Sequence, residues 1–273
     1  MTATLTRDAE RTTVRYTGRL ADLSPADRRA LVSRSGASDE RIGETTGRII
    51  ADVRARGDAA LFDLARELDG VTLDALEVPR AAIDRALAAI DTPVRRGLER
   101  AAGNIGSVHS AFMPRAMETS PGPGIVVGRR PDPLTRVGIY APGGRAVYPS
   151  SVLMAAIPAR VAKVEEVILA SPPRANGLPA DAVLAAAALA GVDRVFAIGG
   201  AGAIAAMALG TASVPRVDRV VGPRNAYVAA AKLALSAVVG IDCAAGPSEL
   251  LILADESASA TRVVDEMLAQ AEH

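Results

Sequence analysis

The spacing of apolar and polar positions changes twice along this chain. From about residue 40 to residue 110 apolar residues recur three and four apart, as in "RIIADVRARGDAALFDLARELDG" and "RAAIDRALAAIDTPVRRGLERAAGNIGSVH". This predicts a layer of amphipathic helices, the first closed by Gly70. No chemistry shows in this layer, and His109 is expected as a half-exposed helix residue without a ligand-type partner at helical spacing. Between Phe112 and Thr135 the sequence becomes dense in Pro and Gly, "FMPRAMETSPGPGIVVGRRPDPLT", and predicts a loop or a domain border.

From Arg136 short apolar runs alternate with helical stretches. "RVGIYA", "EEVILAS", "DRVFAIGG" and "DRVVG" predict strands. "SSVLMAAIPARVA" predicts a helix with a Ser cap, "PADAVLAAAALAG" one closed by Gly191, "GAIAAMALG" a third, and "NAYVAAAKLALS" one capped by Asn225. Strand then helix, repeated with wholly apolar strands, implies a parallel sheet covered on both faces. After "AVVGIDCAAGPSE" a further strand, "LLILAD", and a last helix, "TRVVDEMLAQAEH", are expected.

Composition narrows the partners. With 273 residues the chain can hold two domains, and 31 Lys and Arg balance 31 Asp and Glu, so no net field draws it to nucleic acid or to an anionic membrane. Nearly all basic residues are Arg, and Ala is abundant; both are taken as a coding bias. Neither the first twenty residues nor any apolar run fits a signal peptide or a bilayer span, and a cytoplasmic protein is expected. The single Cys243 excludes an internal disulfide and is read as a small, half-buried apolar residue.

In a doubly wound sheet the ligand lies outside the carboxyl ends of the strands, which selects "APGGRAVYPSS", "IGGAGA", "GPRN" and "AGPSE". Each carries glycine, which lets a backbone approach a ligand, and three lead into helices whose first N–H groups can hold a phosphate. A dinucleotide or phosphorylated ligand is the reading, against ordinary turn chemistry. "GAGAIA", Gly200 to Ala205, fits G-x-G-x-x-A, but the acidic residue such a fingerprint wants at the end of the next strand is missing, since Asp218 stands at its start. In the last helix Gln270 and His273 share a face, one turn after Glu266. They fit two zinc ligands or merely a polar helix face, because a zinc site usually needs three or four.

The blocks "RVGIYAPGGRAVYPSSVLMAAIPA", "GGAGAIAAMALGTASVPRVDRVVGPRNAYVAAAK", "GIDCAAGPSELLILAD" and "QAEH", in this order, resemble the histidinol dehydrogenase family, with the likeness running from "DVRARGDAAL" onward. The resemblance implies zinc-dependent oxidation of L-histidinol to L-histidine through the aldehyde, with two NAD as hydride acceptors, in a cytoplasmic homodimer when the chain is full length. It implies NAD contacts at Tyr140 and Asn225, a substrate contact at Ser248, and zinc and substrate contacts at Gln270 and His273. Gly202 stands where the family has Gln among the NAD contacts, and Arg224 where it has Gly.

The resemblance places the catalytic Glu-His pair and two further zinc ligands beyond His273, so the chain is expected to be cut within its first domain and to be inactive as it stands. The expected fold is α/β: a Rossmann-like, NAD-binding domain over 136–246, inserted into a second, incomplete α/β domain over 36–135 and 247–273, after an N-terminal arm over 1–35. The rival readings are a paralogous NAD-dependent dehydrogenase of another small alcohol, a truncated non-catalytic remnant, and a nucleotide-binding regulatory module indifferent to zinc.

Overall fold

The computed structural model describes residues 20–32, 40–143, 147–223, 225–243 and 250–271. The chain forms two compact units, Met1–Gly36 and Ala37–His273. In the first, a 3-10 turn at Leu20–Asp22 precedes helix α1 (Pro25–Val32). The Ser24 hydroxyl accepts from the Asp27 amide (3.1 Å) and donates to the Asp27 carboxylate (2.7 Å), which satisfies an N–H that has no carbonyl one turn earlier.

The second unit is built on a parallel sheet of β3 (Arg136–Tyr140), β4 (Glu166–Ser171), β5 (Arg194–Ala197), β6 (Arg219–Val221) and β7 (Gly240–Ile241), in the order β5-β4-β3-β6-β7. The predicted alternation is therefore present, and strand order reverses between β3 and β6. Helices α6 (Pro149–Val161) and α7 (Asp181–Leu189) cover one face, α8 (Gly200–Leu209) and α9 (Ala226–Leu235) the other. The helical layer lies outside these: α2 (Glu40–Arg56) and α3 (Asp58–Leu68) pack on α8, α4 (Arg80–Ala89) on α7, and α5 (Thr92–Ala111) on α6. Sandwiched between sheet and outer helices, α8 is buried at every residue from Ala201 to Ala208. Small side chains let it be approached from all sides, so the abundant alanine has a packing role.

Several expectations change. The run read as one helix from Arg48 to Gly70 breaks at Gly57 (φ +57°) into α2 and α3, a conformation that costs glycine little; Gly70 (φ +69°) does end α3. The Pro/Gly-rich stretch read as a loop holds an antiparallel hairpin, β1 (Met117–Gly122) with β2 (Ile125–Arg129). Its turn is Pro123–Gly124, with Gly124 at φ +74°, as a turn with positive φ at its second central residue requires. Helix α6 has no Ser cap; it starts at Pro149, whose missing N–H belongs to the first turn. "LLILAD" is not a strand: Leu251 and Leu253 are exposed and the segment has no ladder partner among the described residues. Cys243 is exposed rather than half-buried, and His109 is exposed on α5.

One sheet edge is covered from the helical layer. The Val78 amide donates to the Val195 carbonyl and the Ala197 amide to the Leu76 carbonyl, both at 2.8 Å. Arg194 grips Glu77 with two N–H donors at 2.9 and 2.6 Å while lying over the Phe196 ring. The edge of β5 is thus closed to further pairing. Asp58, in the first turn of α3, accepts from the Ser213 hydroxyl at 2.6 Å. Partial burial raises its affinity for a proton, but bonds from Ser213 and Thr211 outweigh this and hold the carboxyl below its ordinary value.

Two outcomes are expected. Leu169→Ala, at a fully buried position of β4, lowers the unfolding free energy in urea by about 2–5 kcal/mol, whereas Val126→Ala on the exposed hairpin changes it by no more than about 0.5 kcal/mol. Because the Asp58 pKa is depressed on folding, the stability it adds is present above the unfolded value of about 3.9 and is lost as pH falls through the folded value. Acid titration of Asp58→Asn followed by circular dichroism accordingly shows a flatter loss of stability in that range than the parent chain.

Candidate functional site

The reversal of strand order between β3 and β6 opens a crevice at the carboxyl ends of the strands, where ligands of such sheets bind. A cavity of about 770 Å³ lies there. Its floor is apolar, from Ile198 after β5 and from Leu61, Leu64 and Ala65 of α3. Residues at the strand ends form much of the remaining wall: Pro142 and Gly143 after β3, Pro172 after β4, and Gly199 to Gly202 leading into α8. Arg48 and Asp52 of α2, with Asp69 after α3, supply charge.

Tyr140, at the end of β3, is buried, and its phenol oxygen accepts from the Gly200 amide at 3.2 Å. Burial pushes its pKa up; the Gly200 bond opposes this and the nearby Asp69 charge adds to it, so the group stays a neutral phenol. Asn225 caps α9, its Oδ1 accepting from the Val228 amide at 2.9 Å. The cap occupies the side-chain oxygen, and the side-chain nitrogen of this cavity-lining residue remains a donor. Loss of solvation raises the Asp69 carboxyl above its ordinary value.

The structure brings three of the expected residues, Tyr140, Gly202 and Asn225, onto this one cavity. Gln270 does not line it and sits half-buried on α10 (Ala260–Ala271), a helix with no fully buried residue. Ser248 and His273, like Arg224, lie outside the described residues. Among the described residues no group of three or more His, Cys, Asp or Glu side chains could hold a metal.

The sequence-level reading missed that α2 and α3, taken as a layer without chemistry, form a wall of the site. The glycines at Gly57 and Gly70 were the available signal, since they set α3 off as a separate helix. Asp218, at the start of β6, holds the Arg136 amide at 2.8 Å and takes no part in the cavity.

Two glycines here differ in kind. A Cβ on Gly222, directly after β6 and at φ +130°, would stand 2.1 Å from the Tyr140 carbonyl oxygen. A Cβ on Gly202 would meet only leucine side-chain ends, Leu64 at 2.8 Å and Leu61 at 3.5 Å. Backbone cannot yield there and a leucine tip can, so Gly222→Ala costs about 3 kcal/mol or more, while Gly202→Ala stays within about 1 kcal/mol. Thermal melts of the two variants should separate widely.

A family model described as histidinol dehydrogenase matches residues 32–273. Histidinol dehydrogenase of Methanosarcina mazei is 48% identical over 259 residues, covering 93% of this chain and 59% of that protein. That of Burkholderia pseudomallei is 45% identical over 255 residues, covering 91% and 57%. The crystal structure of histidinol dehydrogenase from Elizabethkingia anophelis aligns with a TM-score of 0.80 at 33% identity, over 85% of this chain and 54% of that one. The chain thus spans somewhat more than half the length of the curated relatives it matches. With the match running through the helical layer, the sheet and the loops of the crevice alike, this chain belongs to the histidinol dehydrogenase family.

Proposed function

We propose that the chain is the nucleotide-holding part of a zinc- and NAD-dependent oxidoreductase that converts L-histidinol to L-histidine in the cytoplasm, working as a homodimer when complete. The observation that supports this most is the cavity at the strand reversal, where Tyr140, Gly202 and Asn225 meet. Residues 136–246 contain the whole parallel sheet and α6–α9, which supports their being the NAD-binding domain, inserted between 36–135 and 247–273.

The donor set of the cavity fits a dinucleotide. The first turn of α8 presents backbone amides and the positive end of a helix dipole to a phosphate. Gly200 has φ +57° and open space where a Cβ would stand, so ligand atoms can approach the main chain. Asn225 has an amide donor for a ribose or carbonyl oxygen. Asp52 and Asp69, at the wall, can accept from ribose hydroxyls. The apolar floor excludes water from a planar ring, which strengthens the polar contacts around it. NAD, when bound, supplies the hydride acceptor.

For zinc the expected pair is Gln270, which lies on α10, and His273, which is outside the described residues. Among the described residues no three His, Cys, Asp or Glu side chains come together, so no step is assigned to the metal. A second reading, for the chain by itself, is nucleotide binding without turnover.

Titration calorimetry of the purified 273-residue chain is expected to show NAD binding with a Kd on the order of 1 mM, about −4 kcal/mol, and no NADH formation on adding histidinol and zinc. Steady NADH formation by homogeneous chain would overturn the non-catalytic reading. Absence of any NAD binding would overturn the assignment of the cavity.

A further inference from the structure

Lys232 and Asp242 are not part of the cavity wall, yet they converge on one residue beside it. Lys232, on α9, is 0% exposed, an unusual place for an ammonium group unless every donor is needed. Its Nζ donates to the Gly222 carbonyl at 2.6 Å and to Asp242 Oδ1 at 2.9 Å. The other carboxylate oxygen, Oδ2, accepts from the Gly222 amide at 3.1 Å. One ion pair thus holds both the N–H and the C=O of a single glycine. Partial burial would raise the Asp242 pKa, but bonds from Lys232 and from the Cys243 and Gly222 amides hold it below the ordinary range.

That glycine is where the main chain needs holding. Gly222 is the residue whose missing Cβ lets β6 run out against the Tyr140 carbonyl, and Asn225 follows three residues later. The strands on this side are short: β6 has three residues and β7 two. Their ladder bonds are too few to set the direction of the outgoing chain, and glycine has no conformational preference of its own to do so.

We infer that Lys232 and Asp242 are a positioning pair, which clamps the two peptide groups flanking Gly222 and thereby fixes the Tyr140 and Asn225 rim of the cavity in its ligand-receiving form. The part concerning ligand rests on the nucleotide reading given above; the clamp itself does not. A buried ion pair is weak as a source of stability, since well-packed apolar replacements often stabilise as much. Its use here is directional: it grips the two peptide groups on either side of one residue, which an apolar pair cannot do.

Two variants of the 273-residue chain test this. Asp242→Asn keeps an acceptor for Lys232 but replaces one carboxylate oxygen by an NH₂ group, which cannot accept from the Gly222 amide. Lys232→Met/Asp242→Leu removes the pair while filling the space. Amide hydrogen exchange over the segment from Val221 to Asn225 is expected to rise about tenfold in both, with protection of the α9 interior unchanged. NAD affinity should fall at least fivefold while the melting temperature of the double variant stays near that of the parent. Unchanged exchange overturns the clamp. Accelerated exchange with NAD affinity at the parent level overturns its role in positioning the rim. Accelerated exchange in a protein whose parent binds no NAD keeps the clamp and removes the nucleotide reading instead.

Discussion

The molecule depends on one close approach, that of the Gly222 backbone to the Tyr140 carbonyl where β3 and β6 lie side by side. The sheet reverses its order at this pair, so the two outgoing chains must separate immediately beyond it, one toward α6 and the other toward α9. Their divergence creates the crevice. It can begin only if the residue after β6 carries no side chain on the face toward Tyr140, and glycine at φ +130° meets that condition.

The same junction joins backbone geometry to binding. Tyr140 reaches from the end of β3 to the first amide of α8, and Asn225 closes the first turn of α9. Both use side-chain oxygens to complete local structure while another part of the residue faces the cavity. Beneath them, the small side chains of α8 let α2 and α3 come close enough to wall the site with Leu61 and Leu64. The helical layer is therefore part of the site rather than a cover for the sheet, and packing density in that layer sets the shape available to a ligand.

Gly202 illustrates how far a sequence fingerprint carries. Gly200 to Ala205 matches a dinucleotide pattern, and Gly200 does take a positive φ at the helix entrance. Gly202, however, lacks a side chain where α3 places Leu64. Its role in the fold is close packing of two helices, and the pattern match expresses two separate physical demands at positions two residues apart. No sequence pattern shows which neighbour occupies the space a glycine leaves.

The sequence by itself determined the repeated strand and helix units after Arg136, the closing glycines at Gly70 and Gly191, the Asn225 cap and the three selected loops, after β3, β5 and β6, that meet at the crevice. These follow from local periodicity and from single-residue backbone preferences, which act over a few positions. Only the tertiary structure decided that α2 and α3 line the cavity, that Leu76 to Val78 cover the edge of β5, that Ile125 to Arg129 form a hairpin strand, and that "LLILAD" does not pair. It also decided that Lys232 and Asp242 meet at Gly222, ten and twenty residues away along the chain. Each of these depends on which surface another segment presents, and that contact is made through space between residues whose separation in sequence carries no periodic signal.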